Sequence, residues 1–493
     1  MRTRAHLRDH VVVVGGGAAG VLAAAALLDG PTAAGPVPFV TLVDPAARPG
    51  AGLAYGRADA HHLLNSPAGR MGALERDPGG FVRWSAGSGT PLEPAAFAPR
   101  RRYGQYLQHV AATLLEERPR DLTAVRARAT LVRPQGTAVV VSLDNGWDLV
   151  ADHVVLALGN PPPGGGVLDG VAARERVADP WSPGALDPVG PNDRVTLVGT
   201  GLTAVDVATS LARRHPTVSI TMVSRHGLLP AAHPRTPAGA GDGIVPAAPG
   251  LCGVLAAFSR AWHEAARQGV PWQHVVDGVR PQVNDLWAAL GPAGRERFVE
   301  RCSRRWEVLR HRMAPSVADE LAGLVRSGVV TVRAGRAAEV PADVVMDCTG
   351  PRPFASRGWN DLVDALLDYG VARPDALGIG LDVDDDGALV DQGGATGPRL
   401  WALGPARRGH QWESTAVPEI RQHAARIATL LRPAPSDAAT QGTGVGPRAR
   451  VARRSPSPAA VPGVGPGVRP ADVVAVPSVE QLVPAAPQAR GLD

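Results

Sequence analysis

The chain of 493 residues contains no lysine; all 51 of its basic residues are arginine. That excludes Schiff-base chemistry on a lysine amine and the phosphate-binding lysine of a P-loop. Cysteine is almost as scarce: Cys252, Cys302 and Cys348 lie far apart in sequence and form no Cys-x-x-Cys pair. A redox dithiol and a thiolate zinc site are therefore excluded, and no metal is expected. Free cysteines fit a reducing, cytoplasmic setting. Aromatic residues make up only 4% of the chain, too few to interleave with the arginines as a nucleic-acid surface requires. The formal charge of +5 is diffuse apart from Arg448, Arg450, Arg453 and Arg454 near the C-terminus, so no nucleic-acid partner is expected. Residues 11–28 are uncharged and follow Arg2, Arg4 and Arg8, an arrangement a signal peptide or membrane anchor would share. Four valines, three consecutive glycines and a following strand that ends in Asp44 fit a nucleotide-binding unit better, so no membrane partner is expected either.

What the chain does have is two glycine-rich turns, each leaving an apolar β-like run and entering a helix-like run. The first is Val11-Val12-Val13-Val14-Gly15-Gly16-Gly17-Ala18-Ala19-Gly20, and the second is Val195-Thr196-Leu197-Val198-Gly199-Thr200-Gly201-Leu202-Thr203-Ala204. In the first, Gly15 permits the tight turn out of the strand and Gly17 lets the backbone approach a pyrophosphate. Gly20 lets the helix Ala18–Leu28 pack close to the sheet, and that helix offers the unpaired N–H groups of its first turn, around Ala18 and Ala19, to an anion. The strand 39–43 then leads to Asp44, placed to reach a ribose hydroxyl, which reads as the adenosine end of FAD. In the second turn Ala204 takes the third glycine position, a substitution the pattern tolerates. The next strand, 218–223, ends in Ser224-Arg225-His226 with no acid; a cation there suits a 2′-phosphate and favours NADPH over NADH. Two such turns are the layout of an FAD enzyme reduced by a nicotinamide.

The expected fold is α/β: two Rossmann-like dinucleotide-binding domains, one for FAD and one for NADPH, with a helical insertion and a disordered C-terminal tail. The first part of the FAD domain is read as 9–185. It includes a buried-strand run, 154–158, that reaches Gly159 before the stiff connector Pro161-Pro162-Pro163. The NADPH domain is read as 186–341, interrupted by helices over about 240–327. Within that insertion Leu251, Val254, Leu255, Phe258 and Trp262 share one helical face, and Phe298, Cys302, Arg305 and Leu309 recur at near-helical spacing. Ser316 and Glu320 open a last helix that Gly328 ends. The FAD domain resumes over 342–433. It contains a strand run into Cys348-Thr349-Gly350, a second strand at 400–403 ending in Gly404, and a closing helix at 418–431. Proline, alanine, glycine and valine without period read as a disordered tail over 434–493.

These motifs together bring a family into view. The chain resembles the bacterial FAD–NAD(P)-binding proteins, a group of NAD(P)/FAD oxidoreductases, over residues 10–431. The resemblance rests on Gly50-Ala51-Gly52-Leu53-Ala54-Tyr55-Gly56, His62-Leu63-Leu64-Asn65-Ser66-Pro67-Ala68-Gly69-Arg70-Met71 and Phe97-Ala98-Pro99-Arg100-Arg101-Arg102-Tyr103-Gly104-Gln105-Tyr106-Leu107. Further matches are Ser224-Arg225-His226-Gly227-Leu228-Leu229-Pro230, Arg310-His311-Arg312-Met313-Ala314-Pro315 and Trp412-Glu413-Ser414-Thr415-Ala416-Val417-Pro418-Glu419-Ile420-Arg421. Wider relatives are flavin-dependent monooxygenases, including enzymes that N-hydroxylate amino acids. The resemblance implies that Leu64-Asn65-Ser66-Pro67 runs past the flavin ring, with Met71 close by and Asn65 hydrogen-bonding near flavin or nicotinamide. An Asn that caps a turn before Pro67 is the competing reading. The Thr349-Gly350 turn is where such flavoproteins return from the nicotinamide domain to the FAD domain. Asp206 reads as a structural acid near a helix start.

The last FAD strand of many flavoproteins ends in Gly-Asp, whereas this chain has Gly404-Pro405. Glu413, or main-chain N–H groups near Ser414 and Thr415 at the start of the closing helix, are the candidates to replace that acid. The resemblance implies hydride transfer from NADPH to FAD followed by reaction with O2 on a small-molecule substrate. Arg310 and Arg312 could hold the carboxylate of an amino acid or other small carboxylate in bidentate fashion, as some relatives N-oxidise aspartate. They could equally be the exposed cations of a helix end. His410 and Glu413 are acid–base candidates. Two alternatives stay open: a flavin reductase or dehydrogenase without oxygen insertion, and a non-catalytic FAD-binding structural or regulatory protein.

Overall fold

The computed structural model describes residues 8–30, 37–236, 239–432 and 451–453. Two parallel sheets organise the larger of its two compact units, which takes in residues 1–237 and 307–451. The first sheet is built outward from β1, His10–Val14. This strand is flanked by β2, Phe39–Asp44, and by β7, His153–Leu156, both parallel to it. Beyond β2 lies β3, Leu122–Arg126, and beyond β7 lies β14, Thr396–Ala402, with β13, Ala388–Val390, antiparallel at that edge. Val11–Val14 are all buried because both faces of the sheet are covered, so this strand reads as an unbroken apolar run rather than an alternation. On one face the helix Ala18–Leu28 is buried nearly all round, between the sheet and the helix Val417–Leu430. Its run of alanines allows that close double contact. The other face is covered by an antiparallel meander of β4, Ala129–Gln135, β5, Ala138–Leu143, and β6, Trp147–Ala151, with the helix Asp361–Asp368.

The second sheet has five parallel strands in the order β11, β10, β9, β12, β8. These are β8, Glu175–Val177; β9, Arg194–Val198; β10, Ser219–Ser224; β11, Val330–Ala334; and β12, Val344–Asp347. The helices Leu202–Arg214 and Pro315–Arg326 pack on it through Val205, Ala208, Leu211 and Leu321. β8 pairs with β12, so the second sheet takes a strand from ahead of the boundary read at 186. The returning segment 388–402 rejoins the first sheet beside β7, as the reading of 342–433 requires.

The second compact unit includes residues 238–306, a narrower span than the insertion read at 240–327. Its helices are Gly250–Arg267, Trp272–Val279, Val283–Ala289 and Gly291–Arg301. Trp262 stacks on Trp272 with ring centres 5.6 Å apart, and Phe258 meets Trp262 at 5.9 Å. The spacing Phe298, Cys302, Arg305, Leu309 does not mark one helix: the helix breaks at Cys302 and a new one runs Ser303–Arg310. The helix Pro315–Arg326, read as part of the insertion, belongs instead to the second sheet's covering layer, and Gly328 follows it at φ +78°. Val451–Arg453 is a short strand; the rest of the tail read as disordered lies outside the described residues. Among the described residues no helix is long and apolar enough to cross a membrane.

Candidate dinucleotide-binding sites

The two glycine turns fold alike. Gly15 leaves β1 at φ +103° and Gly199 leaves β9 at φ +122°, both conformations in which an L side chain is strained. Space forbids a side chain as well: a Cβ at Gly15 would lie 2.3 Å from the carbonyl oxygen of Ala157, and one at Gly199 would lie 2.3 Å from that of Cys348. Each turn is tied to the next strand, Gly15 N–H to the Val43 carbonyl at 2.8 Å and Gly199 N–H to the Val223 carbonyl at 2.7 Å. Gly17 and Gly201 then occupy the same extended N-cap conformation, at φ −71° and −83°. The first helical bonds run from Val21 N–H to the Gly17 carbonyl and from Val205 N–H to the Gly201 carbonyl. The peptide N–H groups of Ala18, Ala19 and Gly20, and of Leu202, Thr203 and Ala204, are thus left without intrahelical partners, at the positive end of a helix dipole.

Each glycine of the first turn answers to a different neighbour. A Cβ at Gly20 would fall 1.8 Å from the Gly15 carbonyl oxygen, so helix and turn could not close with any side chain there. At Gly17 an added Cβ meets only the Cα of Gly52, at 3.6 Å. The packing of the protein itself does not require glycine at this position. Asp44 accepts the N–H groups of Gly16 at 2.6 Å and Ala46 at 2.7 Å, which fixes its carboxylate at the mouth of the turn. The segment Gly50–Gly52 closes over the turn, with Gly50 N–H donating to the Gly16 carbonyl at 2.7 Å.

On the second sheet Ser224 is held by Thr200, hydroxyl to hydroxyl at 2.9 Å, and Thr200 donates to the Leu228 carbonyl at 2.6 Å. Ser224 holds the position on β10 that Asp44 occupies on β2, and Arg225 follows one residue beyond it. It is exposed and makes no ion pair or hydrogen bond among the described residues.

Leu64 and Met71 are buried in the first unit's core, and Leu64 is fixed by its N–H to the Ala98 carbonyl at 2.8 Å. Asn65 is half-buried. Its main-chain carbonyl faces His233 Nε2 at 3.0 Å, and Phe97 meets the His233 ring at 4.8 Å. The 64–67 segment of the first sheet's unit therefore touches the 228–233 loop that follows the second glycine turn. Gly159, Gly350 and Gly404 all have positive φ, at +73°, +91° and +76°. No atom lies within 4 Å of a Cβ built at Gly159 or Gly350, and only the Ile420 side chain approaches one at Gly404.

Near the last strand of the first sheet, Arg310, Glu413 and His410, read as substrate or acid–base groups, each meet another side chain of the protein. Arg310 and Arg312 are buried, so they are not exposed cations of a helix end. Arg310 is paired with Glu413 at 2.9 Å and lies 3.6 Å from Glu419, all three well inside the protein. A buried guanidinium so committed is not presented to a substrate carboxylate, and Glu413 is its counter-ion rather than a free acid or base. His410 faces outward onto Asp385 at 2.9 Å, a residue that is fully exposed. Ser414 stands out by contrast. It is fully buried, and its hydroxyl has no hydrogen-bond partner, one residue before Thr415 and three before the helix Val417–Leu430. A buried hydroxyl left unpaired costs about 1–3 kcal/mol, so a ligand atom is the economical partner. These residues fit FAD: a glycine turn with room only where a phosphate would lie, a carboxylate at the ribose position, and an orphaned hydroxyl near a second helix start.

Sequence reading alone passed over several buried polar partners. Glu307 accepts from His311 at 3.1 Å and from Arg408. Burial works against its charge, yet His311, Arg408 and Arg310 outweigh that and hold its carboxyl down at about 2. Arg100 pairs with Asp206, read as a structural acid, at 2.7 Å. Glu307 and His311 stand at i,i+4 and their spacing could have been read, whereas Glu307–Arg408 and Arg100–Asp206 each join segments about a hundred residues apart and no spacing announces them.

Residues 12–161 match the model of the FAD-NAD(P)-binding family. No curated protein matches the chain. Among solved structures, ornithine hydroxylase from Pseudomonas aeruginosa superposes with a TM-score of 0.57 at 16% identity, covering 86% of this chain and 99% of its own. Ornithine N-hydroxylase from Kutzneria sp. 744, solved with reduced FAD, NADP+ and L-ornithine, gives 0.54 at 15% identity, covering 86% and 99%. The cadaverine monooxygenase of desferrioxamine biosynthesis from Erwinia amylovora, bound to FAD, gives 0.58 at 12% identity, covering 90% and 99%. At such identities the likeness establishes the fold. Residues 12–161 are thus similar to the FAD-NAD(P)-binding family, in a chain that shares its overall fold with these solved hydroxylases and monooxygenases.

Proposed function

We propose that the chain is an FAD-dependent oxidoreductase reduced by NADPH, working as a monooxygenase on a small amine or amino acid. The observation that carries this reading is the repetition of one cradle on two sheets. Gly15 and Gly199, the N-caps Gly17 and Gly201, and the free first-turn N–H groups recur with the same geometry. The two copies differ where the two dinucleotides differ. Asp44 accepts hydrogen bonds at the end of β2, as a ribose hydroxyl needs, whereas the unpaired Arg225 at the end of β10 suits a 2′-phosphate. The fold neighbours named as ornithine N-hydroxylase and cadaverine monooxygenase support an amine nitrogen as the reacting class.

When bound, FAD supplies the hydride acceptance and the reaction with O2 that amino-acid side chains cannot. The chain's own residues bind, orient and exclude water. The N–H groups of Gly17, Ala18 and Ala19 would hold its pyrophosphate and Asp44 its ribose, with Ser414 and Thr415 near the closing helix replacing the acid that Gly404-Pro405 lacks. Gly201, Leu202 and Thr203 would hold the second pyrophosphate. Leu64 and Met71 keep the approach to the ring dry, and Asn65, on the segment that meets the 228–233 loop, would orient the nicotinamide against it.

The test is NADPH oxidation by the purified yellow protein, with and without ornithine, lysine or cadaverine, while peroxide is measured. A monooxygenase gives hydroxylated amine, and peroxide falls as product rises. Flavin bleaching by NADPH with peroxide unchanged by every amine leaves a reductase without oxygen insertion. No bleaching by NADPH at all rejects the reading.

A further inference from the structure

A buried polar cluster joins the two dinucleotide-binding sheets away from either glycine turn. His62, from the segment between β2 and β3, is buried, and its Nε2 lies 2.8 Å from the hydroxyl of Ser210 and 3.1 Å from the carbonyl of Asp206, both on the helix Leu202–Arg214 that covers the second sheet. Ser210, itself buried, lies 2.5 Å from an Asp59 carboxylate oxygen and 3.3 Å from His61 Nε2. One turn earlier on the same helix, Asp206 pairs with Arg100 at 2.7 Å, and Arg100 also donates to the Leu63 carbonyl at 2.9 Å.

Asp59, His61 and His62 offer ligand atoms within 4.8 Å of one another, close enough to suggest a metal. The hydrogen bonds argue otherwise. The main-chain N–H of Asp59 points at His62 Nδ1, at 3.2 Å, so that nitrogen is the acceptor. The proton of the neutral ring then sits on Nε2, which donates toward Ser210 and the Asp206 carbonyl instead of offering a lone pair to a cation. Ser210 passes the direction on by donating to Asp59. Each donor of this hydrogen-bonded series has an acceptor, and the order of donors fixes one register between the 59–63 segment and the helix Leu202–Arg214.

The consequence is catalytic. The two dinucleotides sit on different sheets, and hydride transfer needs their reacting atoms about 3–3.5 Å apart. Apolar packing tolerates sliding, whereas a directional network does not. We propose that Asp59, His62 and Ser210, supported by Arg100 and Asp206, are positioning residues. They set the nicotinamide-binding helix against the flavin-binding unit and so govern the rate of flavin reduction without touching either cofactor. The proposal rests on the NADPH-to-FAD reading above.

The experiment is anaerobic stopped-flow reduction of the full-length, FAD-loaded protein by NADPH. Ser210→Ala and His62→Phe are expected to lower the limiting reduction rate about ten- to a hundredfold, since misplacement by an ångström costs of that order. The NADPH concentration at half-saturation should move less than about threefold and the flavin content should not change. Ser210→Thr and His62→Gln keep the donor–acceptor order and should recover most of the rate, which a loss of folding would not allow. Limiting rates equal to wild type in both disruptive variants would overturn the proposal, as would a loss confined to half-saturation. Metal analysis after dialysis against zinc chloride supplies a further arm: one zinc per chain, lost in His61→Ala, would replace the hydrogen-bonded lock with a metal site. If NADPH fails to reduce the wild-type flavin, the functional reading fails on its own. The lock is then judged by hydrogen exchange in residues 59–63 and 202–214 of Ser210→Ala, which must rise; unchanged exchange overturns it.

Discussion

Substituting alanine for Gly17 separates a ligand's demand for glycine from the fold's. The new methyl would stand 3.6 Å from the Gly52 Cα, an ordinary contact, at a backbone φ of −71° that any L residue adopts. The apoprotein should therefore unfold within about 0.5 kcal/mol of wild type, the range of a substitution that breaks nothing. Flavin binding should suffer, because the methyl occupies the side of the turn from which the peptide N–H groups meet a pyrophosphate. Losing one charge-assisted hydrogen bond is worth about 1.5–3 kcal/mol, or a roughly ten- to hundredfold weaker dissociation constant. The control is Gly15→Ala, which meets the Ala157 carbonyl oxygen at 2.3 Å with φ +103° and should destabilise the apoprotein itself. Thermal unfolding of both apoproteins and titration with FAD, read by flavin fluorescence, complete the comparison. If Gly17→Ala binds FAD as wild type does, the pyrophosphate is not on this turn. If its apoprotein unfolds as early as that of Gly15→Ala, the open space at Gly17 has been misread.

Arg225→Ala should raise the Michaelis constant for NADPH about ten- to a hundredfold and leave that for NADH nearly unchanged, since a charge-assisted bond to the 2′-phosphate contributes about 1.5–3 kcal/mol; equal use of both nucleotides by the wild type would refute it. Arg310→Ala removes a buried counter-ion from the Glu413 carboxylate and should cost about 3–5 kcal/mol of stability in chemical unfolding; a raised Michaelis constant for an amino acid with stability intact would restore the substrate clamp. Glu307 has a folded pKa below its unfolded one, so its contribution is complete above about 4.5 and is lost as pH falls toward 2. The drop is worth roughly 3 kcal/mol, and Glu307→Gln should flatten the acid limb of a stability–pH curve between about pH 5 and 3; an unchanged slope would show that the ion pair is not the cause.

How much of this was legible beforehand depends on the range over which each residue acts. Gly20 answers to Gly15, five positions away, and although Gly15 and Gly17 face the distant Ala157 and Gly52, the three recur at a fixed spacing that gives the turn and the helix start. The valines of β1 announce a strand covered on both faces because burial writes itself into consecutive residues. The helix break at Cys302 was hidden, since apolar spacing continues across it while the backbone does not. Arg310 misled for a different reason. Three adjacent cationic residues look like a binding patch in sequence, and only the fold brings Glu413 from 103 positions away to neutralise one of them. Lysine-free composition sharpened that error, because arginine alone must serve for surface charge, buried ion pairs and anion binding.

The same separation explains why the cofactor cradles were readable and the chemistry was not. A dinucleotide is held by main-chain N–H groups and glycine spaces, which depend on short local patterns and little on the rest of the chain. Positioning two dinucleotides against each other depends on groups such as His62 and Ser210, 148 positions apart, whose meaning exists only once both sheets are folded. The substrate is a step further removed. Arg310 and Glu413 are occupied with each other, and His410 is turned onto an exposed aspartate, so none of the chain's conspicuous charged residues near the last strand is free to choose one. Selection must then come from shape and from neutral polar groups beside Asn65 and Ser414. That predicts an inhibitor series ordered by length and branching of the amine, with small changes on adding or removing a carboxylate; a carboxylate dependence of a hundredfold or more would mean that an arginine other than Arg310 lines the site.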